Sequence, residues 1–80
     1  MRIPRNLSAE DLVKLLKKYG YQTVRQAGSH IRLTTQQNGE NHLTIPNHSP
    51  INIGTLSSIL SNVAAHLGKT KEEVMNDLFG

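Results

Sequence analysis

The sequence predicts a small α+β domain, ordered α-β-β-β-α with an extra C-terminal helix and a three-stranded antiparallel sheet. Three observations predict it. Apolar residues recur at helical spacing in the first and last thirds of the chain. Between them lie three short runs in which apolar and polar residues alternate, as in strands with one wet face. Turn-forming pairs, Ala27-Gly28 and Asn38-Gly39, separate those runs. Such a sheet packs helices on one face and leaves the other open to solvent.

Taken in order, "NLSAEDLVKLLKKYGY" reads as the first helix. Ser8 is a good N-cap, and Asp11 three residues on is a weaker form of the capping box. Leu12, Leu15, Leu16 and Tyr19 share one helical stripe. Lys17 and Lys18 suit the negative end of the helix dipole, and Gly20 is the expected stop. "YQTVRQ", "SHIRLTT" and "HLTIP" are the three strands, the last ended by Pro46. Thr55 is the expected cap of a helix whose apolar face is Leu56, Ile59, Leu60, Val63 and Leu67, and Gly68 ends it. Thr70 and Glu73 stand at capping-box spacing at the start of a last helix.

With 80 residues the chain is read as one domain, residues 1–80. A chain this short buries only roughly two-thirds of its unfolded surface, so function is expected on an exposed face, away from any deep pocket. There is no cysteine, which removes disulfides, thiol nucleophiles and cysteine-based zinc sites together. No apolar run is long enough for a membrane span, and "MRIPRNLSAED" lacks the apolar segment of a secretory signal. A cytoplasmic protein with no membrane partner is expected. The formal charge of +3, with four histidines uncounted, points to a polyanion, nucleic acid before membrane.

Strand parity assigns the open face. Ile31 and Leu33 face the helices, so His30, Arg32 and Thr34 face out. Leu43 and Ile45 face in, so His42 and Thr44 face out. A two-residue turn at Ala27-Gly28 would pair Val24 with Ile31 and Arg25 with His30, which keeps both faces consistent. A two-residue turn at Asn38-Gly39 would pair Leu33 with Thr44 and expose one apolar set, the penalty of a one-residue slip. A three-residue loop of Gln37, Asn38 and Gly39, with Gly39 left-handed, pairs Leu33 with Leu43, Arg32 with Thr44 and His30 with Pro46. His42 then lies opposite Thr34, roughly 13 Å from His30, too far for both to act on one bond. His48 lies just past Pro46, near the His30 end.

The expected cluster is therefore Arg25, Ser29, His30 and Arg32, with His48 beside it. A histidine can accept and donate a proton near neutral pH, and arginine forks fit phosphate oxygens. That pairing suits RNA cleavage, in which the 2′-hydroxyl attacks the adjacent phosphate once deprotonated, with no metal or other cofactor required. Against it, a lone hairpin histidine is ordinarily a plain surface residue, Ser29 is ordinarily a turn residue, and no carboxylate is placed to orient His30. The 13 Å estimate for a strand of this rise argues against a three-histidine metal site. His66 falls on a helix. Lys14, Lys17 and Lys18 read first as a solvated helix face and second as non-specific attraction for RNA.

"AGSHIRLT", "HLTIPNH" and "IGTLSSIL", in that order and after a leading "KKYGY", resemble the HicA (YcfA-like) toxins of bacterial type II toxin–antitoxin systems. The resemblance spans nearly the whole chain. It implies a fold like that of the double-stranded-RNA-binding domain. It implies an mRNA interferase, an endoribonuclease that acts on mRNA and blocks translation, as in stress responses. It also implies a HicB-type antitoxin partner that covers the His30 face. The histidine of the G-S-H motif, His30 here, is the implied catalytic residue. The residues around it are expected to serve it: Gly28 as the structural turn residue, Ser29 and His48 (the latter matching P-x-H) in supporting positions, and, from the reading of the open face, Arg25 and Arg32 as holders of RNA phosphate. The free protein is expected to be a monomer or a weak homo-oligomer. The chain departs from the family's shortest members in "AAHLGKTKEEVMNDLFG", whose acidic end is expected to pack or to make protein contacts and to avoid RNA. The rivals are a non-catalytic RNA-binding module and a protein-docking domain on the same fold.

Overall fold

The computed structural model describes residues 4–80. Its order is α1 (Ala9–Leu16), a 3₁₀ turn (Lys17–Tyr19), β1 (Gln22–Ala27), β2 (His30–Thr35), β3 (Asn41–Pro46), α2 (Ile53–Leu67) and α3 (Lys71–Phe79). The strands form one antiparallel sheet in the order β1-β2-β3, as the alternation predicts.

Helix α1 starts where its cap dictates. Ser8 is extended, and its hydroxyl accepts the Asp11 N–H at 3.0 Å, an interaction worth about 1 kcal/mol. Glu10 and Asp11 place negative charge in the first turn, where the dipole favours it. Ala9, Leu12, Leu16 and Tyr19 are buried, while Leu15 is only half-buried. The helix tightens into the 3₁₀ turn and stops at Gly20, which is left-handed with φ 82°. A side chain there would meet a second obstacle, because a Cβ on Gly20 would lie 2.9 Å from Thr35 Oγ1. Thr35 has no room to yield: its buried hydroxyl donates to the Tyr19 carbonyl and accepts the Gln37 N–H.

Helix α2 begins earlier than expected. Its cap is Asn52 and not Thr55, and Asn52 Oδ1 accepts from Gly54 N at 2.8 Å and Thr55 N at 3.4 Å. Asparagine ranks above threonine as an N-cap, and here it satisfies two free N–H groups of the first turn. Leu56, Ile59, Leu60 and Val63 are buried, Leu67 is half-buried, and Gly68 closes the helix in the left-handed region. The capping box of Thr70 and Glu73 forms reciprocally, at 2.8 and 3.0 Å.

One core joins all layers: Leu12 and Leu16 of α1, Leu33 and Ile45 of the sheet, Leu56 and Leu60 of α2, Val74 of α3. The acidic C-terminal end packs. Val74, Met75 and Leu78 are buried. Asp77 Oδ2 accepts the Tyr19 hydroxyl at 2.6 Å and lies 3.6 Å from Lys69 Nζ, and its carbonyl accepts from Lys18 Nζ at 2.8 Å. Burial, then Asp77, pushes the Tyr19 hydroxyl well above its ordinary range.

The Tyr19 hydrogen bond, aided by Lys69 and Lys18, holds the Asp77 carboxyl below its usual value against a desolvation that is weaker than that bond but stronger than the charge of either lysine. The Thr70 cap does the same for Glu73. A depressed carboxylate stabilises the fold fully above its unfolded value, near pH 4 for aspartate, and loses that contribution as pH falls through the folded value. Thermal melts are therefore expected to show stability declining below about pH 4. Asp77→Asn should flatten that decline while lowering the melting temperature at neutral pH. An unchanged acid limb in Asp77→Asn would show that this carboxylate does not contribute.

Candidate nucleic-acid interface on the open sheet face

The β2–β3 ladder is the one that parity requires. His30 pairs with Pro46, Arg32 with Thr44, Leu33 with Leu43 and Thr34 with His42. The ladder stops at Thr35 and Asn41, so the loop is two residues longer than expected, and Asn38 joins Gly39 at positive φ. Ile31, Leu33, Leu43 and Ile45 are buried, and His30, Arg32, His42 and Thr44 are exposed.

The β1–β2 ladder differs from expectation. The turn residues are Gly28 and Ser29, not Ala27 and Gly28, so Ala27 pairs with His30, Gln26 with Ile31 and Arg25 with Arg32. Gly28 has φ 57° and Ser29 has no positive φ. That places the positive φ at the first central position, as the II′ class of hairpin turn requires, and glycine belongs there. A bulge at Val24 then shifts the register, and Thr23 pairs with Leu33. Val24 does not pack on Ile31; it is 59 % exposed. The bulge is the physical reason. Thr23 and Gln26 line the groove against α1, while Val24 shares a shallow hollow with Gln22 and Thr34 on the open side. Val24 and Arg25 between them both point outward, opposite Arg32, as two residues facing one do at a bulge.

The open face thus has three rows, about 7 Å apart for two residues of strand. The first is Ala27, His30 and Pro46. The second is Arg25, Arg32 and Thr44. The third is Gln22, Thr34 and His42. Arg25 is not directly across from His30, as the shorter turn would have made it; it stands diagonally from it, directly opposite Arg32. The ion pairs among the described residues are His42–Glu40 and Lys69–Asp77, so both arginines are free of carboxylates. Like charges directly opposite on a sheet repel. Two unpaired guanidiniums side by side form a ready receptor for an anion.

His30 is exposed, and its ring makes no hydrogen bond to the described residues. Ser29 sits in the turn and gives its carbonyl to Asn47 N–H at 2.6 Å, which joins the β3 exit to the hairpin. That bond keeps His48 at the His30 end of the sheet. The His48 carbonyl accepts from Ala9 N at 3.2 Å, tying the loop to the start of α1. Lys14 and Lys17 line the groove between α1 and β1, on the other side of the sheet from His30. Among the described residues no group of three His, Asp or Glu side chains converges as a metal site would require, and no helix is long and apolar enough to cross a membrane.

Two histidines gain partners that the sequence reading left out. His66 Nε2 lies 3.0 Å from the carbonyls of both Gln37 and Gly39, and Asn38 Nδ2 donates to the His66 carbonyl. This ring fastens the β2–β3 loop to the end of α2, a contact 27 to 29 residues apart in the chain with no local signal. His42 is held between Glu40 and Thr34, at 2.8 Å on each ring nitrogen. Parity already placed Thr34 opposite His42. Glu40, two residues before His42, was the signal available.

The model of the family described as "HicA toxin of bacterial toxin-antitoxin" matches residues 9–64, from the start of α1 into α2. Helix α3 lies outside the match. No curated protein and no solved structure gives a match.

Proposed function

The chain belongs to the HicA toxin family of bacterial toxin–antitoxin systems, and on that premise we propose that it is an endoribonuclease that cleaves mRNA in the cytoplasm on its open sheet face. The observation that carries this reading is the unpartnered His30 one row from the unpaired Arg25–Arg32 couple. The arginines hold a backbone phosphate. His30 takes the proton from the neighbouring 2′-hydroxyl, whose oxygen attacks phosphorus as the bond to the 5′-oxygen breaks. His48, at the same end of the sheet, is the second imidazole available to give a proton to the departing oxygen. The products are a cyclic phosphate and a free 5′-hydroxyl. Chemistry of this kind draws on the RNA's own nucleophile and on positioned acid–base groups, without a metal. A HicB-type antitoxin neutralises the toxin by covering the His30 face.

The test is induction of wild type and His30→Ala in a bacterial host, with and without a co-expressed HicB-type antitoxin. Growth arrest and transcript cleavage are expected from wild type alone, and the antitoxin should suppress both. Equal arrest and cleavage from both toxins would remove His30 from the chemistry. RNA binding by a wild type that neither arrests growth nor cuts transcripts would favour a non-catalytic RNA-binding module.

A further inference from the structure

The Glu40–His42–Thr34 chain lies in the third row, on the same face as His30 but beyond reach of the bond that His30 would act on. Its chemistry differs from that of the arginine row. An ionised Glu40 requires a proton on His42 Nε2, 2.8 Å away. His42 Nδ1, 2.8 Å from Thr34 Oγ1, then accepts the hydroxyl proton when the ring is neutral and donates to the oxygen when it is charged. The ring is held in the same place in either state. Both of its nitrogens are occupied and a carboxylate sits beside it, which makes it a poor receptor for another phosphate. What the ring has left to offer is its π face, and the side chain is 43 % exposed.

The rest of the face sharpens the point. The chain has no tryptophan, both tyrosines are buried, and the one phenylalanine is on α3. On the three strands, His30 and His42 are the only aromatic rings. His42's neighbours along and across the sheet, Thr34 and Thr44, are small. Unpaired RNA bases stack on aromatic side chains, histidine included, and a sheet face is a common platform for it. We infer that His42, fixed edge-on by Glu40 and Thr34, is a base-stacking platform that holds a nucleotide of single-stranded RNA about two rows from the bond facing His30.

This inference rests on the RNA-cleaving reading above. It gives the strand a direction across the face: scissile bond at His30, phosphate between Arg25 and Arg32, stacked base at His42. Stacking tolerates any base but is stronger for purines, so the site favours a purine at that position.

The experiment uses the full chain carrying His30→Ala, so that RNA is bound without being cut. Fluorescein-labelled oligoadenosine and an abasic ribose-phosphate strand of equal length are titrated and followed by anisotropy. Adding His42→Ala should weaken oligoadenosine binding about tenfold, the scale of one base–aromatic stack, and leave the abasic strand unaffected. His42→Phe should retain most of the affinity, and His42→Gln, which keeps hydrogen bonding without a ring, should not. Circular dichroism checks that each variant is folded. A Phe variant as weak as the Ala variant would overturn the stacking proposal, as would an Ala variant that binds oligoadenosine like its parent. If Arg25→Ala and Arg32→Ala abolish binding while His42 variants do not matter, stacking fails and the phosphate site stands. If the parent binds neither strand, both readings fail together.

Discussion

Purified His30→Ala protein is expected to cleave RNA roughly 10²–10⁴-fold more slowly than wild type, the range that one positioned acid–base group contributes. Binding of an uncut RNA should change by no more than about twofold, because phosphate contacts dominate affinity and His30 supplies none of them in this arrangement. Folding should be untouched. His30 is exposed, its ring bonds to none of the described residues, and surface substitutions of that kind stay within about 0.5 kcal/mol. The informative control is His66→Ala. It removes a ring that ties the β2–β3 loop to α2, so it should lower the melting temperature and leave the cleavage rate of the folded protein nearly unchanged. Matching rates for wild type and His30→Ala would end the assignment.

The second large effect is on stability. Leu60→Ala is expected to cost about 2–5 kcal/mol, the measured range for emptying a buried leucine site. Leu60 is fully buried in α2, within the core that also holds residues of α1, the sheet and α3. No single layer can relax into the space left behind. Folded domains hold only about 5–15 kcal/mol in total, so a domain this small should lose a large part of its margin. Ile53→Ala, at a position of the same helix that is 38 % exposed, should cost about 1 kcal/mol or less. Urea unfolding followed by circular dichroism measures both. Equal midpoints for the two variants would show that Leu60 is not a keystone of the core.

How far the sequence could be read depended on burial. The β2–β3 register was legible because both strands carry an inward apolar pair, Ile31 with Leu33 and Leu43 with Ile45, and one register alone satisfies both. β1 has no such pair. All six of its residues are exposed, so the usual restraint on register is missing. Val24, the apolar handle within the strand, lies in a bulge, while the fully buried Tyr21 stands just before the strand begins. Turn chemistry was the better guide there, since glycine fits the first central position of the hairpin turn and alanine does not. His30 and Arg32 were placed correctly because they sit on the legible strand, whereas Arg25's partner was not, because it depends on β1. The roles of His42 and His66 were hidden for another reason. Parity put Thr34 opposite His42, but the other partners, Glu40, Gln37 and Gly39, lie in a loop where it has no force.

The facing arginines also carry a consequence for the protein without its ligand. Two like charges directly opposite on a sheet destabilise it, by an amount on the order of what a favourable cross-strand pair contributes, about 0.2–1 kcal/mol. The free toxin is therefore less stable than its scaffold permits, and Arg25→Thr should raise the melting temperature by a few degrees, on the scale of about 4–8 °C per kcal/mol for a domain of this size. The same change should weaken RNA binding and flatten its salt dependence. A screen for sturdier variants of this fold would select proteins that have lost the paired arginines and, with them, the anion receptor. Polyanions should do the reverse, raising the melting point of wild type more than that of Arg25→Thr.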